Sequence, residues 1–172
     1  GSPAVWSVAM VFFQSLLLGG YAYAHYLMQI RSRAVPIAIH LMLLVVALAT
    51  LPLAIANGWG EPPTGGYAFW LLGLFAASIG LPFFALAANN PMLQAWFVRT
   101  GHPNGPDPYF LYASSNIGSF LALLSYPILL EPMFSLRTQN LLWTGGYGLL
   151  ILLIAACGVL LRERFYASSS WL

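Results

Sequence analysis

Apolar residues in this chain come in runs rather than in stripes. Five runs, roughly 4–30, 37–56, 68–88, 109–130 and 140–161, reach the length of about 20 residues that a helix needs to cross bilayer hydrocarbon. Their continuous apolarity predicts helices, because a membrane strand alternates lipid-facing and lumen-facing residues over about ten positions. Between the second and third runs, Asn57-Gly-Trp-Gly-Glu-Pro-Pro-Thr-Gly-Gly66 is dense in turn residues and predicts a loop outside the membrane. The third run is the irregular one. Pro82 predicts a kink, and Asn89-Asn90-Pro91 predicts an end, because the residue before a proline avoids the α region. A short helix over 91–99 is then expected to lie in the membrane interface, with Asn90 as N-cap and Met92, Leu93, Trp96 and Phe97 on one face. The Gly/Pro-rich stretch 100–108 reads as a loop, and Asp107-Pro-Tyr as the start signal of the fourth membrane helix. The expected fold is all-α: a polytopic integral membrane bundle of five transmembrane helices plus one interfacial helix, forming one domain over 1–165, with a polar tail at 166–172.

Composition agrees with the pattern. Of the 172 residues, 60% are hydrophobic and only 6% charged, whereas a typical soluble domain carries about 25% charged residues. Such a chain is wrapped largely in lipid. All six basic residues are arginines, and the net charge of +2 offers no surface for nucleic acid. Arg31, Arg33, Arg99, Arg162 and Arg164 fall on one side of the expected membrane, and only Arg137 on the other with Glu61 and Glu131. The positive-inside rule then places the N-terminus outside and the C-terminus in the cytoplasm. Trp6, Trp59, Trp70, Trp96 and Trp143 fall near helix ends, as an aromatic belt requires. The opening Gly-Ser-Pro has neither an initiator Met nor a basic region, so 4–30 does not read as a signal peptide; the chain reads as a processed or partial product. Cys157, the single cysteine, reads as a small packing residue.

Polar side chains inside the apolar runs each call for a physical reason. Gln14, Tyr21 and His25 share a stripe on the first helix, which is expected to face the bundle interior. His25 and His40 approach the same membrane side from neighbouring helices, and two such histidines are able to ligate a haem, or one a chlorin magnesium; the bland reading is a hydrogen bond to backbone. A second constellation, Asn89, Asn90, Ser115, Asn116 and Ser119, joined by Gln14, forms a possible polar ligand patch beside an interrupted helix. Its bland reading is capping and packing. His102 and Asp107 share a loop on the cytoplasmic side, but no nucleophile, metal cluster or phosphate-binding glycine loop accompanies them. Gly20 and Ala24, like Gly118 and Ala122, sit at the spacing that lets helices approach closely in lipid. No catalytic residue and no metal site is expected.

Two stretches carry a family resemblance. Ser2-Pro-Ala-Val-Trp, Phe12-Phe-Gln and Gly20-Tyr-Ala-Tyr-Ala-His25 resemble the membrane portion of bacterial fused spermidine-synthase-like proteins. So does Asn90-Pro-Met-Leu-Gln-Ala-Trp-Phe-Val-Arg-Thr-Gly-His102, continuing through Asp107-Pro-Tyr-Phe-Leu-Tyr-Ala-Ser-Ser-Asn-Ile-Gly-Ser119. The resemblance covers about 2–165. Members of that family usually carry a further upstream helix, and their transferase chemistry belongs to a soluble downstream domain. The resemblance therefore implies a membrane module without the family's catalytic residues, in a bacterial cytoplasmic (inner) membrane. The leading expectation is a non-catalytic module that anchors or scaffolds within a larger membrane assembly, its partners being lipid and other membrane helices. The alternatives are a carrier or sensor for a small polar molecule such as a polyamine, and a tetrapyrrole-holding subunit of an electron-transfer or light-harvesting complex.

Overall fold

The computed structural model describes residues 3–32, 34–55, 58–100, 103, 105, 107 and 109–169, with side chains up to 160. Every regular element among them is helical. We label the helices α1 (Pro3–Met28), α2 (Ala34–Leu48), α3 (Tyr67–Val98), α4 (Tyr109–Met133) and α5 (Leu136–Ser169). Four of them, α1, α3, α4 and α5 over Leu136–Leu160, are long and apolar enough to cross a membrane. The fifth, α2, is apolar but has 15 residues, about 22 Å of helix, which is shorter than the hydrocarbon of a bilayer. The expected second span thus stops at Leu48 rather than at 56, and Pro52 lies in the irregular apolar segment that follows.

The separate interfacial helix does not form. Instead α3 runs 32 residues without a break, through Pro82, Asn89-Asn90 and Pro91 to Val98. Ending it at Asn89 would leave carbonyls and amides facing hydrocarbon, where each unpaired group costs several kcal/mol, roughly the cost of tolerating a proline. A π-helical turn over Ala76–Gly80 eases the passage. Ser78, the residue whose carbonyl the Pro82 ring would normally strike, lies inside that widened turn. The same device recurs in α4. Its π-turn spans Tyr126–Leu130, and Ile128, four residues before Pro132, lies within it. Consequently α4 continues past the expected end at 130, and Glu131 starts its last turn. The helical part of α5 extends to Ser169, into the expected polar tail; 170–172 lie outside the described residues.

The core sits between α1, α2, α3 and α5. Helix α1 packs along α3, and α2 packs on both α3 and α5. Its centre comprises Ala24, Leu27, Leu44, Ala47, Ala85, Ala88, Met92 and Trp96, with Tyr147 and Ile154 from α5. The buried positions Pro36, His40, Leu44 and Ala47 of α2, spaced four, four and three apart, form one helical stripe. Glycine fixes three of the approaches. A Cβ on Gly20 would lie 2.8 Å from Ala87 Cβ and 3.1 Å from Ala88 N, so the α1 and α3 backbones are in direct contact there. Gly158 of α5 faces Ile37, and Gly73 of α3 faces the Trp59 ring.

Helix α4 stands apart. None of its residues is buried. At one end the Phe110 ring meets Phe97 edge-on at 5.1 Å. At the other, Tyr126 Oη donates to Gln139 Oε1 at 3.2 Å, and Gln139 Nε2 donates to Phe134 O at 2.9 Å. Between α3, α4 and α5 lies an apolar cleft of about 620 Å³, with Leu86, Leu130, Trp143 and Tyr147 among its walls. The helix is tethered at both ends and uncovered along its length.

Candidate functional site

The one buried polar constellation among the described residues gathers on three helices. His40, with 0% of its surface exposed, donates from Nε2 to Asn89 Oδ1 at 2.8 Å, joining α2 to α3. Both residues belong to the inward stripes of their helices, which is why they meet: Asn89 follows Pro82, Ala85 and Ala88 on α3 and precedes Met92 and Trp96. The Tyr23 ring of α1 lies 6.0 Å from the His40 ring, and the Trp96 ring stands edge-on to it at 6.4 Å. With Nε2 donating, His40 is left with Nδ1 as a bare acceptor. That atom has no partner, and neither do Asn89 Nδ2, Trp96 Nε1 and Tyr23 Oη, all of them buried. The node therefore presents His40 Nδ1 as an acceptor, Asn89 Nδ2 and Trp96 Nε1 as donors, and Tyr23 Oη as either. Chemically it suits a guest that both donates and accepts hydrogen bonds, such as water, an alcohol or an amide. It contains no charged group, so it has nothing to neutralise a cation.

The sequence-derived candidates are distributed differently. Gln14, Tyr21 and His25 lie exposed on α1 rather than facing the interior. The inward face of α1 is instead Phe12, Gly20, Ala24 and Leu27. In lipid, apolar residues lose nothing by facing outward, so small residues that allow backbone contact decide which side packs. His25 bonds Gln29 Nε2 through its own Nε2 at 3.0 Å, one turn further along the same helix. It is exposed on α1, whereas His40 is buried in the bundle. Among the described residues no group of three His, Cys, Asp or Glu side chains comes together around a metal-sized space.

The expected polar patch separates into four parts, one of them Gln14, exposed on α1. Asn89 belongs to the buried node. Asn90 does not cap a helix; its Oδ1 accepts from Gln94 Nε2 at 2.8 Å within α3. Ser115, Asn116 and Ser119 ride on the uncovered α4, Ser115 half-buried and the other two exposed. Gly118 and Ala122 are exposed as well, and a Cβ on Gly118 would meet nothing within 4 Å. By contrast, Gly20 and Ala24 are buried on the face of α1 where its backbone meets that of α3. Asp107 Oδ1 accepts from the Tyr109 amide at 3.4 Å, at the entrance to α4. His102 lies outside the described residues. Trp96, Tyr23, Gly73 and Gly158 were not singled out as site or contact residues by sequence reasoning. For Trp96 a signal was present: it falls seven residues after Asn89, two turns along one face.

Compared with known proteins, the chain matches no family model, no curated protein and no solved structure.

Proposed function

We propose that this chain is a non-catalytic membrane module whose α4 docks onto helices of a larger membrane assembly. The observation that supports this is α4 itself: it is long and apolar enough to cross a membrane, yet none of its residues is buried. Asn116 and Ser119 lie one turn apart on an exposed face. An amide left in hydrocarbon is costly, and a neighbouring helix carrying a polar group relieves that cost by about 1 kcal/mol per hydrogen bond. Gly118, open on its outer side, allows another backbone to approach. In this reading the His40–Asn89 node and the Gly20 contact hold α1, α2 and α3 as a rigid unit that displays α4. The arginine distribution supports an orientation with the N-terminus outside and the C-terminus in the cytoplasm of a bacterial inner membrane. The quoted resemblance supports a place beside, or within, a spermidine-synthase-like protein as its membrane half.

The test uses two substitutions on α4. Gly118→Leu and Asn116→Leu are each expected to leave the unfolding transition of the isolated chain in place, within about 0.5 kcal/mol, because neither side chain packs against the core. Gly118→Leu should lower the yield of the native complex on gentle extraction by at least about tenfold, the equivalent of 1.4 kcal/mol, and Asn116→Leu by about three- to fivefold, the equivalent of about 0.6–1 kcal/mol. Complexes that survive both changes intact would remove the docking role from α4.

A second reading, a carrier or sensor for a small polar molecule, draws on the unpartnered atoms around His40. The solute it favours is neutral and hydrogen-bonding rather than a polyamine, since the node holds no carboxylate. Uptake into proteoliposomes that is equal for wild type and His40→Leu would dispose of it.

A further inference from the structure

At the end of the bundle where α1 stops and α3 stops, the polar cleft between them is lined by Gln29, Ile30, Arg31 and Arg99 and measures about 330 Å³. Arg99, half-buried just beyond α3, donates through Nη2 to the Met28 carbonyl at the end of α1, which fixes its guanidinium at the cleft wall. Its remaining N–H groups have no partner among the described residues. Arg31 is exposed in the α1–α2 connection and likewise has none. No ion pair is formed by either arginine within the described residues, so among those residues two permanent cations face one cleft without a counter-charge. The carbonyl ends of α1 and α3 offset part of that charge, each by about half a unit, and leave the charge of the described residues around the cleft positive. Gln29, already hydrogen-bonded to His25 on the outer face of α1, adds a neutral donor and acceptor at the rim.

The position decides what kind of anion fits. The cleft lies at the ends of two helices long and apolar enough to cross a membrane, which is the level of lipid headgroups, and basic pockets between transmembrane helices hold anionic headgroups there. Arginine presents a fork of donors matched to phosphate oxygens. Directly above the cleft along α1, Tyr26 and Ala22 are exposed, so a lipid held by its phosphate has an apolar surface for its acyl chains. We propose that Gln29, Arg31 and Arg99 bind the phosphate of an anionic phospholipid. This goes beyond the docking role of α4 and does not depend on it.

The experiment is native mass spectrometry of the full chain in neutral detergent, with dioleoyl phosphatidylglycerol, dioleoyl phosphatidylcholine and inorganic phosphate as probes. Phosphatidylglycerol is expected to be retained at least about fivefold more than phosphatidylcholine, and Arg31→Gln should reduce that preference about fivefold. Arg31 is the informative position because it makes no contact that the fold uses. Arg137→Gln, in the first turn of α5 at the opposite end of the bundle, is expected to change nothing. Equal retention of the two lipids, or an unchanged preference in Arg31→Gln, overturns the site. Displacement of phosphatidylglycerol by millimolar inorganic phosphate would also overturn it, by showing a site for free phosphate rather than for lipid.

Discussion

Gly20→Leu is expected to be the most damaging single substitution in the molecule, lowering stability by about 3 kcal/mol or more. The reason is that nothing nearby is able to yield. The first carbon of any side chain at Gly20 arrives 2.8 Å from Ala87 Cβ, 3.1 Å from Ala88 N and 3.2 Å from Ala87 C. Two of these three are backbone atoms of a continuous helix, so relief requires α1 and α3 to move apart. That movement would reach the rest of the core, because Ala24 and Ala88 belong to the same buried cluster. Even Gly20→Ala places a carbon at those distances, and it should already cost part of the loss. The measurement is an unfolding titration from mild detergent into dodecyl sulfate, with Gly118→Leu as the matched control. If Gly20→Leu unfolds at the wild-type midpoint, the α1–α3 contact is not the one described.

Asn89→Leu ranks second, at about 1–3 kcal/mol, the cost of stranding a buried polar group. The substitution removes the partner of His40 Nε2 and leaves an imidazole enclosed by Tyr23, Trp96 and Asn89's apolar replacement. Transmembrane hydrogen bonds average only about 0.6 kcal/mol, because the unfolded chain in lipid finds other partners. The larger part of the loss should therefore come from the unsatisfied ring rather than from the missing bond. A double variant separates the two. His40→Leu with Asn89→Leu replaces both partners by apolar groups of similar size, and it is expected to be more stable than Asn89→Leu alone. A double variant whose loss equals the sum of the single losses would mean that the two side chains are not coupled. The Gly20 collision has no alternative arrangement, whereas a stranded polar group is able to recruit water, which is why the first costs more.

What the sequence made legible depended on whether lipid or a neighbouring helix chose the outcome. Run length located five helices, since apolar continuity is a property of each segment alone. Helix ends were less legible. Pro91 reads as a breaker because in water the freed backbone groups are solvated at little cost; in hydrocarbon they are not, and α3 runs on past it. Pro132 behaves in the same way, helped by a π-turn for which no local composition rule exists. The inward face of α1 was misread because polarity was taken as its marker, while Gly20 and Ala24 decide it through contact distance. His40 and Asn89 were each visible as candidates. Their pairing was not, because they lie 49 residues apart and on helices whose rotation the sequence leaves open.

The tethering of α4 at its two ends has a consequence for biogenesis. The four-helix core forms its contacts without α4's flank, so if α4 docks as proposed, a newly inserted copy is able to reach its final shape before that docking. Until then, the amide of Asn116 faces acyl chains. Under the proposed docking role, an orphan copy would then differ from an assembled one by a polar strip open to the bilayer, not by any unfolding. Membrane quality control that reads exposed polar groups would clear such surplus copies, and the cell would hold the chain at the stoichiometry of the helices that the proposal places on α4.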